Sequence, residues 1–67
     1  MENTAKERVI KEWRELDEKI DKLVSFMGSP KYEKMTEAER ELLLQQLNAM
    51  INYSRALRAR LTIWREI

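Results

Sequence analysis

The chain has 67 residues, 13 Lys plus Arg against 12 Asp plus Glu for a formal net charge of +1, and neither Cys nor His. That composition excludes disulfide staples, zinc–thiolate sites and thiol nucleophiles, and removes the commonest general base and transition-metal ligand. Charged residues are 37% of the chain, no apolar run approaches the roughly 18 residues of a membrane span, and the opening MENTAKERVI lacks the apolar stretch of a secretory leader, so one soluble cytoplasmic domain over residues 1–67 is expected.

Asn3 and Thr4 are the candidate N-caps, and Thr4-Ala-Lys-Glu7 fits a capping box. Apolar residues follow at Val9, Trp13, Leu16, Ile20, Leu23 and Met27. The steps alternate between four and three, the heptad period of a helix packed on another helix. Ile10 and Val24 widen the stripe. Gly28 suits the position just past a helix end, with Pro30 two residues beyond. The first helix is therefore predicted over residues 4–27.

Residues 28–36 form the connector. Ser29-Pro30 reads as an N-cap followed by Pro at the first helical position, starting one short turn with Tyr32 and Met35 folded over the hairpin end. Thr36-Glu-Ala-Glu39 is a second capping box. It opens a second helix over 37–65, whose stripe runs Leu43, Leu47, Met50, Ser54, Leu57, Leu61 and Trp64. A short connector between two long amphipathic helices forces an antiparallel hairpin. Aligning the stripes from the turn outward pairs Leu23 with Leu43, Ile20 with Leu47 and Leu16 with Met50. It sets Trp13 opposite Ser54, large against small. The fold class is all-α.

The second helix carries a further apolar row at Leu42, Ala49, Tyr53, Ala56 and Ile63, with Leu44 and Ile51 on the other flank. One partner helix cannot cover so wide an arc, and uncovered apolar strips mark interfaces. Chains this short also seldom bury enough surface to stand alone. A homo-oligomeric helical bundle follows as the expectation, with Trp64 near the open end packed on another subunit.

Charge is unevenly placed. Residues 1–41 hold eleven acids and nine bases, whereas 42–67 hold Arg55, Arg58, Arg60 and Arg65 against Glu66 alone. Arginine's planar fork suits bidentate binding of phosphate or carboxylate. Gln45, Asn48, Asn52, Arg55 and Thr62 share one helical face, and Tyr53 or Trp64 offers a ring for stacking. The candidate ligand-binding residues are Asn48, Asn52, Tyr53, Arg55 and Arg58. Arg55 and Arg58 would neutralise phosphates, Asn48 and Asn52 would read base or ribose edges, and Tyr53 would stack. A plainer reading has the arginines complementing the helix dipole or pairing with Glu7, Glu12 or Glu15 across the hairpin. Catalysis is not expected: the carboxylates alternate with bases on a solvated face, and there is no Gly-rich phosphate loop. Neither a metal nor a cofactor is expected. With so small a net charge, neither is duplex nucleic acid.

The stretch Glu15-Leu-Asp-Glu-Lys-Ile-Asp-Lys-Leu23 with Phe26, Ser29 and Tyr32, then Glu39-Arg-Glu-Leu-Leu43, Gln46, Met50, Tyr53, Leu57 and Arg60-Leu61, resembles small phage and prophage helical-hairpin proteins of a crAss-like phage-related group. The resemblance covers about residues 8–63. It implies a character like that of the phage anti-defence sponges that sequester nucleotide immune signals of the CBASS and Thoeris systems. Under it, the chain would bind a cyclic oligonucleotide or cyclic ADP-ribose type of signal in the host cytoplasm without catalysis. The alternative is a small protein-interaction inhibitor or adaptor whose Leu42–Ile63 row docks a host protein, helix in groove.

Overall fold

A computed structural model describes residues 4–66, with side chains to Ile63. Asn3 and the side chain of Trp64, both given roles above, lie outside the described residues. Three helices run in order: α1 (Thr4–Met27), α2 (Pro30–Glu33) and α3 (Glu37–Glu66). Helices α1 and α3 pack antiparallel into a rod of 51 × 14 × 13 Å.

The heptad stripes meet along the seam. Val9, Leu16 and Leu57 are buried, and Trp13, Ile20, Met50 and Leu61 pack against them. Leu57 is the most deeply covered, at 1% exposure. Burying a side chain of that size contributes about 1.5–3 kcal/mol. Three such residues are a small core, and the surface area shows it. A compact monomer of this mass exposes about 4,500 Å², whereas the hairpin exposes 5663 Å². Several large apolar side chains stay in water: Leu42 is 64% exposed, Ile63 59% and Val24 52%, with Leu44 and Tyr53 close behind. Among the described residues, no helix is long and apolar enough to cross a membrane.

Helix ends depart from the sequence expectation in three places. Thr4 already lies inside α1, so it is a first-turn residue and not the cap. Gly28 is not left-handed, since no glycine has a positive φ. The last turn of α1 tightens instead, with Gly28 N–H donating to the Ser25 carbonyl at 3.1 Å and Ser29 N–H to the Phe26 carbonyl at 2.9 Å. Pro30 supplies the stop. Its ring disfavours helical geometry at the preceding residue, and Ser29 is extended at φ −96, ψ 159. The third departure follows from this. The Ser29 hydroxyl does not cap α2 but turns back to donate to the Phe26 carbonyl at 2.6 Å.

The start of α3 matches its motif. Thr36 N–H donates to Glu39 Oε1 at 2.9 Å, and Glu39 N–H donates to Thr36 Oγ1 at 3.1 Å. Over the turn, Phe26 and Tyr32 meet edge to face with centroids 6.3 Å apart, and the Arg40 guanidinium lies 5.8 Å from the Tyr32 ring centre. These contacts tie α1, α2 and α3 together where the chain reverses.

Two outcomes follow for stability. A Cβ at Gly28 would meet only the Ser25 carbonyl, at an ordinary 3.7 Å. Gly28→Ala should therefore be neutral or stabilise by up to about 1 kcal/mol in urea denaturation; a loss of that size would mean the position needs glycine after all. Thr36→Ala should cost about 1 kcal/mol. The bonds from the Thr36 backbone amide and then its hydroxyl hold the Glu39 carboxyl below its ordinary value near 4.5. The bridge is thus fully present above that value and is lost as pH falls through the lowered one. The gap between wild type and Thr36→Ala should narrow in acid when unfolding is followed by circular dichroism; a gap independent of pH would contradict the assignment.

Candidate functional site

The hairpin seam brings four side chains into one linked group. Trp13 on α1 is half-buried, and its indole Nε1–H donates to Ser54 Oγ on α3 at 3.1 Å. The large-against-small pairing read from the sequence is therefore also a hydrogen bond, which accounts for a hydroxyl in the apolar stripe: it gives the half-buried indole N–H an acceptor. One turn beyond Ser54, the guanidinium carbon of Arg58 lies 5.9 Å from the centre of the Trp13 ring. Thr62, a further turn along, donates its hydroxyl to the Arg58 carbonyl at 3.0 Å.

Around this group lies a shallow cleft of ≈ 350 Å³, lined by Lys6, Ile10, Trp13, Arg58, Leu61 and Thr62. Two other clefts differ in charge. One runs along α1 between Glu7, Lys11, Arg14, Glu15 and Glu18 beside Ile10, where acids and bases alternate. The other lies at the start of α3 and is acidic, with Glu37 and Glu41 beside Leu42. Of the three, only the Trp13 cleft has a purely cationic charged lining.

The five candidate residues fall in three places. Asn48, Asn52 and Arg55 are exposed and spaced four and three apart on α3, so they share the face turned away from the seam. Tyr53 lies to one side of the hairpin, where its hydroxyl donates to the Glu12 carboxylate. Arg58 lies against Trp13. Of the acids that might have neutralised the arginines, Glu12 is engaged by Tyr53, and the partner found for Arg58 is an aromatic face. The first three residues are brought together in the single chain; Tyr53 and Arg58 are not brought to them.

Lys6, Trp13 and Thr62 were not among the five. The stripe alignment that sets Trp13 opposite Ser54 was a signal for Trp13; spacing alone marks neither Lys6 nor Thr62. Among the described residues, no group of three or more acidic side chains is arranged to hold a metal ion.

A family model described as Sequestin matches residues 3–63, nearly the whole hairpin. No curated protein and no solved structure matches the chain. The chain belongs to the Sequestin family, a membership that implies sequestration of a signal molecule by binding.

Proposed function

We propose that this Sequestin-family hairpin removes a small phosphorylated nucleotide signal, of the cyclic oligonucleotide or cyclic ADP-ribose type, by holding it unchanged. We place it as a phage anti-defence protein acting in the host cytoplasm. The observation that carries this reading is the extent of the family match, which covers residues 3–63. Sequestration must then be built from the hairpin itself.

Its chemistry suits that ligand. Asn48 and Asn52 offer amides to base or ribose edges, and Arg55 beside them offers a bidentate fork to phosphate. The hydroxyl bond from Tyr53 to Glu12 fixes the ring while leaving a face for stacking. Arg58 supplies a second fork.

Holding a small ligand tightly means covering most of its surface, about 70–90%. A rod 14 × 13 Å in cross-section has no room to do that within one chain. The reading therefore includes a homo-oligomer, in which the outward row Asn48–Arg55 of one copy faces side chains of another. The exposed Leu42, Tyr53 and Ile63 supply apolar surface for such contacts. The excess over a compact monomer, about 1,200 Å², exceeds the roughly 800 Å² that each partner buries in a standard interface.

Calorimetry with cyclic dinucleotides, cyclic trinucleotides and cyclic ADP-ribose isomers tests the reading. One of these classes should bind and be recovered chemically intact after the protein is denatured. Arg55→Glu should weaken that binding by about tenfold or more. Absence of heat with every one of them, or recovery of a cleaved product, would contradict it.

A further inference from the structure

We infer that α3 pairs antiparallel with α3 of a second copy, in a register that sets Leu42 against Ala59 of that copy and gathers Asn48, Asn52 and Arg55 of both chains at the dyad. The inference deepens the sequestration reading and rests on it for the kind of ligand, while the pairing itself is argued from one face of the helix.

Away from the seam, α3 carries a second heptad stripe. Leu42, Ala49, Ala56 and Ile63 recur every seven residues, and Ala38, Gln45, Asn52 and Ala59 fall between them at steps of four and three. All of them are exposed, so α1 does not cover this stripe. Its period is that of a helix packed on another helix.

The stripe complements itself. Laid antiparallel on its own copy, it sets Leu42 against Ala59, Ile63 against Ala38, Gln45 against Ala56 and Asn52 against Ala49. Every layer then joins a larger side chain to an alanine, which fills space without overlap. Sliding one copy by four residues would set Leu42 against Ile63 and Ala49 against Ala56, crowding the ends and leaving voids between them. Charge selects the direction. Glu37, Glu39 and Glu41 lie at the start of α3, and Arg55 and Arg58 lie in its second half. Antiparallel pairing lays these halves on each other, whereas parallel pairing would set like charge beside like. The area suffices as well: 5663 Å² exposed, against about 4,500 Å² for a compact monomer, leaves more than the roughly 800 Å² per partner of a standard interface.

The register has a consequence for the ligand. Asn48 and Arg55 border the stripe on one side, and Asn52 lies within it. In the pair, Asn48 of each copy comes opposite Arg55 of the other. The dyad thus collects amides and one arginine fork from each chain, a set suited to a nucleotide bearing two phosphates. Each such site takes two chains to build.

The test exploits the absence of cysteine. Full-length chains carrying Leu42→Cys are mixed at micromolar concentration with chains carrying Ala59→Cys and oxidised with glutathione disulfide. Both positions are exposed, and circular dichroism reads the fold of each variant. Covalent dimers of the two kinds of chain should form at least about tenfold faster than from Leu42→Cys mixed with Ile63→Cys, because a disulfide tolerates only a narrow range of separations. Leu42→Cys alone should not link, since its two copies would lie about 26 Å apart along the pair. Wild-type chain titrated with the nucleotides named above should bind one ligand per two chains.

Faster linkage of Leu42→Cys to itself would show a parallel pair and overturn the inference. So would faster linkage to Ile63→Cys, or one ligand bound per chain. If folded chains link in none of the mixtures, self-pairing falls and the stripe is left to a different protein. Should a nucleotide bind while Leu42→Cys and Ala59→Cys stay unlinked, the register falls and sequestration stands. Should they link as expected while no nucleotide binds, the register stands and the sequestration reading falls.

Discussion

Two helices packed side by side share a single seam, and a seam covers one stripe on each. Every other feature of this molecule follows from that geometry. Val9, Leu16 and Leu57 are the residues the seam buries, while Leu42, Leu44, Val24 and Ile63 stay in water. A third helix would have covered them. Here α2 is four residues long and serves only to close the turn. With no Cys or His in the chain, neither a disulfide nor a histidine-bound metal compensates for so small a core. In the proposed reading, the same uncovered strip that makes the lone hairpin marginal is what draws copies together, and a ligand-sized enclosure arises between them.

The seam also holds a polar link with consequences beyond packing. Ser54 interrupts the α3 stripe with a hydroxyl, and the Trp13 indole uses it. An apolar residue there would remove the acceptor of a half-buried N–H and lose a hydrogen bond worth about 1 kcal/mol. The link specifies register, since a shift of α3 by one residue would separate the pair. It also sets the Trp13 ring as a platform for Arg58. One interaction thus connects register, core packing and the placement of a cation at the surface.

Much of this was legible in the residues. Four-and-three spacing gave both long helices, Thr36 with Glu39 marked the start of α3, and the stripe alignment set Trp13 against Ser54. What was misread concerns local choices that spacing does not encode. Gly28 and Ser29 are residues that serve more than one kind of helix end, and Pro30 decided between them by forcing Ser29 into extended geometry. Thr4 lies inside the helix it was expected to cap, and such boundaries are weakly specified. The candidate site was harder. Helical periodicity places Asn48, Asn52 and Arg55 on one face, but it does not reveal that Tyr53 bonds Glu12 across the hairpin or that Arg58 lies on a ring. Those contacts depend on which flank of each helix faces which, a tertiary fact.

The central claim is that the lone hairpin is incomplete and that association covers what it leaves exposed. Sedimentation velocity over a dilution series, paired with circular dichroism at each concentration, tests it most directly. The account predicts a mass that is a multiple of 8.1 kDa at micromolar concentration, with helix content falling as dilution releases single chains. A fully helical species of 8.1 kDa that persists unchanged across the series would contradict it.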